Sequence, residues 1–375
     1  MAPSQRYLQD MSAELDAMVA LLRELVTCES PSEDPVALDR CAELLAAVGT
    51  RFLGREPERV VLGGITNLVW RPRGSGPLLL GHYDTVWPSG TLAELPFSAR
   101  DGVARGPGVF DMKAGIVQML YAARICTARD RVGLLLTGDE ETGSMTSRSL
   151  VEELAAKSGA VLVGEPSADG GAVKVARKGV ARFRVRVRGR AAHAGLEPEL
   201  GVNATVELAH QVLAMLSAAR TDLGTTVTPT VAGSGSTVNT VPETATLDID
   251  VRGWSRAELD RVIRHMQGPR AVLPQAELFV TGGVNRYPLE ESMSADLLAH
   301  VRAAAREIGI PEPGSVRSGG GSDGNLTAAI GIPTLDGMGA VGGHPHARGE
   351  FVDITTMPAR TALLAATLDR LGGAG

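Results

Sequence analysis

The chain is poor in cysteine and in aromatic side chains, and both shortages narrow the range of functions. Only three of its 375 residues are cysteine (Cys28, Cys41 and Cys126), and no two of them stand in a CxxC spacing. A sparse, odd set of this kind indicates reduced thiols and argues against a disulfide framework. The aromatic fraction is 3%, and no basic block with interleaved aromatics occurs. We therefore expect no nucleic-acid partner.

Long apolar runs are also missing from the sequence. No uninterrupted apolar segment reaches the ~18 residues that predict a membrane-spanning helix. Residues 1–11 are polar and residues 15–26 fit an amphipathic helix, so the beginning of the sequence lacks the pattern of a signal peptide. With 44% hydrophobic residues, 21% charged residues and a net charge of -6, the composition is that of a folded globular protein. We expect it to be cytoplasmic and to have no membrane partner.

What the chain contains instead is a set of five separated side chains suited to metal ions. They lie in the segments LLLGHYD, GVFDMK, GDEETG, LVGEP and HPHARGE. The candidate ligands in these segments are His82, Asp111, Glu141, Glu165 and His346. Imidazole and carboxylate without thiolate suit a hard-to-borderline divalent ion such as zinc. An odd number of ligands, one of them a carboxylate able to bridge, is what two nearby ions sharing one anion require.

The predicted strands explain why these side chains could meet. Residues 78–80 form a short apolar run that predicts a buried parallel strand ending at His82, and a second apolar strand ends at Glu140 and Glu141. Asp84 stands two residues after His82, so its carboxylate lies on the same side in extended chain and could fix the imidazole ring. Neighbours on a strand point in opposite directions. The two glutamates can therefore serve one cavity only where the chain bends, and the following Thr-Gly-Ser supplies a bend. One of them could then bind metal while the other holds the attacking water.

Each of these residues, taken alone, has a more ordinary interpretation. His82 could be a simple strand-end histidine, and the Glu140–Glu141 pair could lie on a solvated helix start. Asp111 could cap the helix that follows it. Their joint occurrence at strand ends, in one ordered series, favours the metal site.

At this point the chain resembles the M20 metallopeptidase family, and within it the glutamate carboxypeptidase branch. The resemblance rests on the segments HYDTV, GVFDMK, DEETGS and GEP, which occur in family order and extend over nearly the whole chain. It implies two zinc ions per chain, with Co²⁺ or Mn²⁺ as substitutes, and Asp111 as the bridge between them. His82 and Glu165 would complete the protein shell of one ion, and Glu141 and His346 that of the other. The resemblance also implies a cis peptide bond after Asp111.

The same resemblance assigns roles to residues that do not bind metal. Glu140 becomes the general base and proton shuttle, and Asp84 the orienting acid. His344 competes with His346 for the last ligand position. The family spacing of a histidine, three residues and a glutamate fits His346 and Glu350, which favours His346.

The remaining expectations concern the substrate. His193, in the small-residue segment AAHAG, resembles a family histidine that reaches the partner subunit's active site and stabilises the oxyanion, although a turn histidine taken alone is most often structural. Asn239 and Arg252 resemble contacts to the substrate carboxylate, and Arg252 could equally form a salt bridge at a strand end. The segment SGGGSDGN resembles the family's specificity loop, in which the backbone of Gly320 and Gly321 could hold a carboxylate.

The order of the predicted elements sets the fold class. In residues 1–173 apolar strands alternate with helices, which is typical of an α/β domain. The same alternation returns in residues 288–375. Residues 174–287 follow the order β-α-β-β-α-β, the ferredoxin-like arrangement, and the strand ARFRVRVR alternates so that one face lies in water. We predict an α/β zinc-peptidase sheet domain with helices on both faces and an inserted α+β domain. The resemblance implies that this insert is a lid and dimerisation domain.

Together these features predict a dinuclear zinc hydrolase, a metallocarboxypeptidase or amidohydrolase that acts as a homodimer. It would cleave the amide bond before a C-terminal amino acid, with glutamate suggested by the branch, in a small peptidyl or N-acyl substrate. An N-acyl-amino-acid deacylase of the acetylornithine or succinyl-diaminopimelate type would use the same ligands. The alternative from another class is a catalytically silent binding protein on the same fold, against which the intact Glu140 argues.

Overall fold

The computed structural model describes residues 4–373 and divides them into two compact units. The first unit contains the described residues up to Ala176, Glu290–Ser318 and the chain from Ser322 onward. The second contains Arg177–Leu289 and Gly319–Gly321. No helix within residues 4–373 is long and apolar enough to cross a membrane. Cys28, Cys41 and Cys126 form no disulfide bond in this structure.

Helices begin and end where the local chemistry favours it. The longest one begins where the Asp34 side chain accepts hydrogen bonds from two backbone N–H groups, with Pro35 as its first residue, and it ends at Gly54 in the left-handed conformation. In the described part of the chain the α-helices are α1 (Ser4–Ala13), α2 (Leu15–Thr27), α3 (Pro35–Leu53), α4 (Ala114–Ile125), α5 (Arg148–Ala156), α6 (Ala204–Leu216), α7 (Arg256–Gln267), α8 (Ala295–Ile308), α9 (Gly324–Ala329) and α10 (Met357–Gly372).

The strands are mostly short. They are β1 (Glu58–Leu62), β2 (Ile65–Trp70), β3 (Pro77–His82), β4 (Ser98–Arg100), β5 (Val103–Arg105), β6 (Gly133–Thr137), β7 (Ala160–Val163), β8 (Val173–Arg177), β9 (Gly179–Arg188), β10 (Ala192–His193), β11 (Thr226–Ser234), β12 (Thr240–Val241), β13 (Thr244–Gly253), β14 (Glu277–Arg286), β15 (Ser315–Ser318), β16 (Thr334–Leu335), β17 (Gly342–Gly343) and β18 (Phe351–Asp353).

A six-stranded sheet forms the centre of the first unit. Its order is β1-β2-β6-β3-β7-β16, in which β6, β3, β7 and β16 run parallel and the β1–β2 hairpin pairs antiparallel at one edge. Apolar strand residues pack on both faces, because one face meets α3, α4 and α10 and the other meets α5 and α9. The predicted α/β sheet with helices on both faces is confirmed.

Two glycines let α4 approach the sheet closely. A Cβ atom on Gly115, in the first turn of α4, would lie 2.0 Å from the carbonyl oxygen of Gly164, just beyond β7. A Cβ atom on Gly164 would lie 2.7 Å from the sulfur of Met119. Because neither position has room for a side chain, the start of α4 packs directly against the end of β7.

The second unit contains a four-stranded antiparallel sheet of order β11-β13-β9-β14. Along the chain, β9, α6, β11, β13, α7 and β14 follow one another in the predicted β-α-β-β-α-β order, with the two-residue strands β10 and β12 added. Apolar residues of β9 and β13 are buried against α6 and α7. The arginines of β9 alternate with them and are exposed. The predicted one-faced sheet is therefore present.

Candidate metal centre

Three parallel strands bring three of the candidate ligands to one edge of the main sheet. His82 is the last residue of β3, Glu165 follows the end of β7, and Glu141 lies in the turn after β6. Because β6, β3 and β7 are parallel neighbours, their carboxyl ends lie side by side. Asp111 joins them from the segment before α4, and His346 from the loop before β18.

The five side chains form two groups that could each hold a metal ion, and Asp111 belongs to both. One group also contains His82 and Glu165, and the other Glu141 and His346. The two carboxylate oxygens of Asp111 face different groups: Oδ1 lies 3.3 Å from Nε2 of His82, and Oδ2 lies 3.3 Å from Nε2 of His346. A carboxylate with one oxygen in each group has the geometry of a bridging ligand.

The spacing of the donor atoms fits metal ions of the size of zinc. Nε2 of His82 lies 3.5 Å from Oε1 of Glu165, and Nε2 of His346 lies 3.1 Å from Oε1 of Glu141. Donors bound tetrahedrally at about 2.0 Å from one ion would lie ~3.3 Å apart. Within residues 4–373, Nε2 of His82 and Oδ1 of Asp111 are buried and have no hydrogen-bond partner. Such atoms are rare unless something else satisfies them, and an ion shared between them would do so.

Without ions, the neighbouring carboxylates favour the protonated forms of His82 and His346. The carboxylates of Asp111 and Glu141 raise the pKa of His346 to about 10. Burial by itself would lower the pKa of His82, but contacts with neighbouring carboxylates, first that of Asp111, raise it well above the ordinary value. An ion must displace these protons to bind, so metal affinity should increase as the pH rises through the neutral range.

His346, and not its neighbour two residues earlier, lies in the ligand group. The ring of His344 packs instead against Phe351, with 5.9 Å between ring centroids. Both histidines have left-handed backbone conformations, with φ of 58° at His344 and 61° at His346. The tight turn that they form directs only the second ring to Glu141 and Asp111.

Asp84 has a different contact pattern from the one that its sequence position suggested. Nδ1 of His82 lies 3.0 Å from the backbone carbonyl oxygen of Asp84 and 3.4 Å from its carboxylate. The carboxylate is fully buried and accepts hydrogen bonds from Ser32 Oγ at 2.8 Å and from the backbone N–H groups of Glu140 and Glu141 at 3.2 and 3.1 Å. Asp84 thus orients the imidazole mainly through its main chain, while its carboxylate fixes the turn that carries both glutamates.

The bend predicted at the glutamate pair is present. The backbone N–H of Gly143 donates to the carbonyl of Glu140 at 2.8 Å, and that of Ser144 to the carbonyl of Asp139 at 2.8 Å. The Asp139 carboxylate binds the backbone N–H of Thr146 at 2.7 Å. Asp139 thus fixes the turn from the side opposite Asp84, and no sequence pattern pointed to this role.

The segment around Asp111 does not have the structure of a simple helix cap. The residue before α4 is Lys113, and no side chain caps this helix through a hydrogen bond. The peptide bond between Asp111 and Met112 is cis, as the resemblance implied. Lys113 is buried, and its Nζ donates to the carbonyl oxygens of Leu25 and Cys28 at 2.9 and 2.8 Å.

A buried arginine, Arg360, contacts the backbone segment that is hydrogen-bonded to Glu165. This residue was not predicted from the sequence. Arg360 is 6% exposed and donates to the carbonyl oxygens of Gly171, Gly337 and Gly339 at 2.8 to 3.0 Å. The backbone N–H of Gly339 in turn donates to the carbonyl of Glu165 at 2.9 Å. Arginine in a helix with an otherwise apolar face was the only signal that could have identified it.

The second unit brings His193 and Asn239 to one exposed site. β10 pairs with β12, and the backbone N–H of Ala194 donates to the carbonyl of Asn239 at 2.9 Å. Nδ1 of His193 accepts backbone hydrogen bonds from Gly195 and Leu196, each at 3.1 Å. A neutral ring with Nδ1 as acceptor carries its proton on Nε2, so His193 presents an N–H donor outward.

The other two predicted substrate contacts have partners within the second unit. The guanidinium of Arg252 forms two hydrogen bonds with the Asp250 carboxylate, at 2.7 and 3.1 Å. This is the ion pair that the sequence left open as its alternative. The carbonyl oxygens of Gly320 and Gly321 accept hydrogen bonds from the buried Arg177 at 3.3 and 3.2 Å. Arg177 therefore anchors the glycine loop, a contact that the sequence did not predict.

Two imidazole–carboxylate groups joined by one carboxylate, at the carboxyl ends of parallel strands, are typical of a metallohydrolase that uses paired ions. The pattern of the peptidase family M20/M25/M40 matches residues 78–370. The chain belongs to this family. The resemblance noted in the sequence, and the class of metallopeptidase or amidohydrolase that it predicted, are confirmed.

Individual relatives are similar to this chain over most of their length. Carboxypeptidase G2 from Pseudomonas sp. (strain RS-16) is 30% identical over 384 residues, which cover 97% of this chain and 91% of the relative. A succinyl-diaminopimelate desuccinylase from Gluconacetobacter diazotrophicus is 32% identical, with 82% and 84% coverage. The crystal structure of a dinuclear metal-binding M20 peptidase from Bacillus subtilis has a TM-score of 0.67 at 15% identity, with 97% and 99% coverage. These similarities identify the chain as an M20 metallohydrolase and leave its substrate open.

Proposed function

We propose that the chain is a dinuclear zinc carboxypeptidase that removes the C-terminal amino acid from a small peptidyl or N-acyl substrate. The observation that carries the proposal is the position of Asp111, whose two oxygens face two separate ligand groups. His82 and Glu165 would hold one ion, and Glu141 and His346 the other. Zinc is favoured by the mixture of imidazole and carboxylate donors, which Co²⁺ and Mn²⁺ also accept.

The residues of the chain divide the chemistry between them. Ions bound at the two groups would polarise the carbonyl of the scissile amide and increase the acidity of the attacking water. Glu140 accepts a proton from that water as its oxygen bonds to the carbonyl carbon. Glu140 then delivers the proton to the nitrogen as the carbon–nitrogen bond breaks. Asp84 keeps Glu140 and Glu141 in a fixed turn, so that one can move a proton while the other binds metal.

The substrate should need a free α-carboxylate. Arg252, Asn239 and the backbone of Gly320 and Gly321 are the groups proposed to bind it, with Arg252 exchanging its Asp250 partner for the substrate. We expect that amidating the carboxylate of an N-acyl-amino acid lowers kcat/KM. The loss of a charge-assisted hydrogen bond should raise the corresponding activation free energy by about 2–4 kcal/mol. Steady-state kinetics on acid and amide pairs of acyl-glutamate, acyl-alanine and acyl-leucine measure this effect.

The same panel tests the leaving residue. Equal rates for acids and amides would contradict the carboxypeptidase proposal and favour a different cut. Faster cleavage of acyl-alanine or acyl-leucine than of acyl-glutamate would remove the glutamate preference, which rests on similarity to the carboxypeptidase branch, and would leave the mechanism intact. A chain that binds zinc and cleaves none of these substrates would be the silent binding protein instead.

The lining of a cavity beside Glu141, which we call the acyl groove, favours a substrate with an uncharged acyl group. It has a volume of about 420 Å³ and is open to solvent. Its walls combine apolar and acidic side chains, among them Pro31, Val86, Pro88, Glu33, Asp34 and Glu141. No basic side chain of the described residues lines it. The groove therefore offers no basic side chain to pair with a second carboxylate such as that of a succinyl group, which supports the carboxypeptidase proposal over the desuccinylase alternative.

The charge of the acyl groove can be tested with two acyl groups of similar size. We expect kcat/KM to be higher for N-butyryl-alanine than for N-succinyl-alanine. The ratio of kcat/KM for the butyryl substrate to kcat/KM for the succinyl substrate should fall about two- to threefold in Glu33→Gln at low ionic strength, because one repulsive charge near the groove is removed. Glu56→Gln, an exposed acid that does not line the groove, is the matched control. A preference for the succinyl substrate, unchanged by Glu33→Gln, would favour the desuccinylase type.

We also propose that the second unit serves as the lid and forms the homodimer. Its α6 presents exposed apolar side chains seven residues apart, with Val206 43% and Leu213 71% exposed. The neighbouring β11 is an edge strand on which Val231 is 64% exposed. An apolar stripe beside an unpaired strand edge suits association with a second copy. The free thiols are compatible with the proposed cytoplasmic location.

His193 should act on the oxyanion from the partner subunit. His193→Ala is expected to lower kcat about 100-fold with little loss of zinc, because the outward Nε2–H would contact the transition state and not the ions. A mixture of His193→Ala and Glu140→Gln chains should recover up to about a quarter of wild-type activity, since half of the dimers would contain one complete site. Activity is measured after subunit exchange, and each variant alone is the control. No recovery in fully exchanged mixtures would place His193 in its own chain's site or outside catalysis.

A further inference from the structure

Glu350 makes an unusual set of contacts for a carboxylate outside the ligand groups. It is 3% exposed, yet no basic side chain pairs with it among the contacts that the described residues make. Its Oε1 accepts hydrogen bonds from the backbone N–H groups of Phe110 at 2.8 Å and Asp111 at 3.0 Å. Its Oε2 accepts from the backbone N–H of Gly108 at 3.0 Å and from the indole N–H of Trp87 at 2.9 Å. Both oxygens are thus fully engaged, and three of the four donors belong to the segment that ends at Asp111.

Glu350 is also tied to the loop that carries His346. Its backbone N–H donates to the carbonyl of Ala347 at 2.9 Å, which closes the turn directly after His346. The next residue, Phe351, pairs with Arg105 in the small antiparallel sheet that leads into the Asp111 segment. One residue therefore connects the two chain segments that supply Asp111 and His346 to the same ligand group.

We infer that Glu350 is a positioning residue that holds the segment of residues 108–111 so that the Asp111 carboxylate faces both ligand groups at once. This inference rests on the proposed two-ion function. The backbone before Asp111 contains Gly106 and Gly108, both with positive φ, and is not part of a regular helix or strand. Successive N–H groups in such a segment have no partners from regular secondary structure, and a buried carboxylate can collect them on one side. That fixes the direction in which the Asp111 side chain leaves the backbone.

Glutamine at position 350 cannot reproduce this arrangement. An amide has one acceptor oxygen, and its NH₂ group is a donor. Whichever way the amide is turned, two of the four N–H groups would face a donor and lose their partner. We expect Glu350→Gln to weaken zinc binding about 10- to 100-fold, the range for groups that orient ligands without touching the metal. Both ions should be affected, because Asp111 belongs to both groups.

A buried glutamate in the second unit provides a matched control. Glu207 is fully buried and accepts hydrogen bonds from the backbone N–H groups of Val272 and Leu273 at 2.7 to 3.1 Å and from Gln211 at 2.6 Å. Glu207→Gln makes the same chemical change in a carboxylate that collects backbone N–H groups away from the ligands. It should lower stability and leave zinc affinity unchanged.

The experiment is a zinc titration of the full-length, metal-free chain and its variants by calorimetry, combined with thermal unfolding of the metal-free forms. If Glu350→Gln fails to fold, Glu350→Asp replaces it. Aspartate keeps the charge but withdraws the carboxylate by ~1.5 Å, and it should weaken zinc binding about 10-fold. At saturating zinc, kcat should fall about 10-fold in either variant while KM stays within about twofold, because the substrate contacts are untouched.

The outcomes separate a positioning role from a merely structural one. Weaker zinc binding in a Glu350 variant, with unchanged binding in Glu207→Gln, supports the inference. Zinc affinities equal to wild type in the folded Glu350 variants would overturn it, whatever their stability. A wild-type chain that binds only one ion would overturn both this inference and the proposed function. A wild-type chain that binds two ions and cleaves no tested substrate would contradict the proposed function alone, since the titration does not use a substrate.

Discussion

The chain with Asp111→Ala should retain almost no zinc, whereas the wild-type chain should retain about two ions. Removing this carboxylate leaves each ligand group with two protein donors instead of three. Only His82 and Glu165 remain in one group, and only Glu141 and His346 in the other. Structural and catalytic zinc sites are held by three or four protein ligands. Two-donor sites should therefore lose their ions during gel filtration in metal-free buffer, and activity should fall below detection.

The other ligands provide the comparison that makes this result informative. Glu165→Ala and His346→Ala each remove a donor from one group only, so each should lose about one ion and keep the other. Elemental analysis of the gel-filtered proteins gives the number of ions per chain. A tightly bound ion that remains in Asp111→Ala would show that one group does not need this carboxylate. A wild-type stoichiometry of one that persists after zinc addition would rule out the bridging role.

The variant Glu140→Gln should keep both ions and lose the chemistry. Glutamine has nearly the same size as glutamate but cannot accept the proton of the attacking water or return it to the leaving nitrogen. Positioned acid–base groups contribute ~10²–10⁴-fold to rates, and we expect kcat to fall by that amount. The backbone N–H of residue 140 can still donate to Asp84, so the turn should persist. Steady-state kinetics with an N-acyl-amino acid and elemental analysis of the same sample measure the two effects.

The neighbouring glutamate is the matched control for Glu140. Glu141→Gln makes the identical change one residue later, in a side chain that lies 3.1 Å from His346 within a ligand group. It should lose about one ion along with activity. If Glu140→Gln turns over at a rate near that of wild type, the role of general base belongs to another group. If the two variants lose metal equally, the division of tasks between these adjacent residues is wrong.

Much of the fold could be predicted because the sequence patterns were strong. The short apolar runs at residues 78–80 and 133–137 are typical of strands in a sheet covered on both faces, and β3 and β6 are buried along their length. The strict alternation of β9 likewise predicted a sheet with one wet face. Helix α3 was not predicted, although the Asp34–Pro35 start and Gly54 end are strong signals in retrospect.

The cluster of candidate ligands was predictable for a related reason. The carboxyl ends of parallel strands lie at the same edge of a sheet. The sequence therefore predicted that His82, Glu141 and Glu165, which follow such strands, lie close together. Asp111 was harder to place, since its segment is irregular, and it was the resemblance to a family motif that suggested a bridging role for it. Its two oxygens facing two groups are a property of the folded chain.

The sequence by itself predicted the candidate donors, the strands that end near three of them and the two-part organisation of the chain, because these depend on residue type and on short-range periodicity. Only the tertiary structure placed the ring of His346, and not that of His344, beside Glu141 and Asp111. It also gave the Asp84 carboxylate its two backbone N–H partners and placed Glu350 against the Asp111 segment. Glu350 lies 239 residues from Asp111 along the chain. No local pattern can encode such a contact, because it exists only after two irregular loops have been fixed by everything that packs around them.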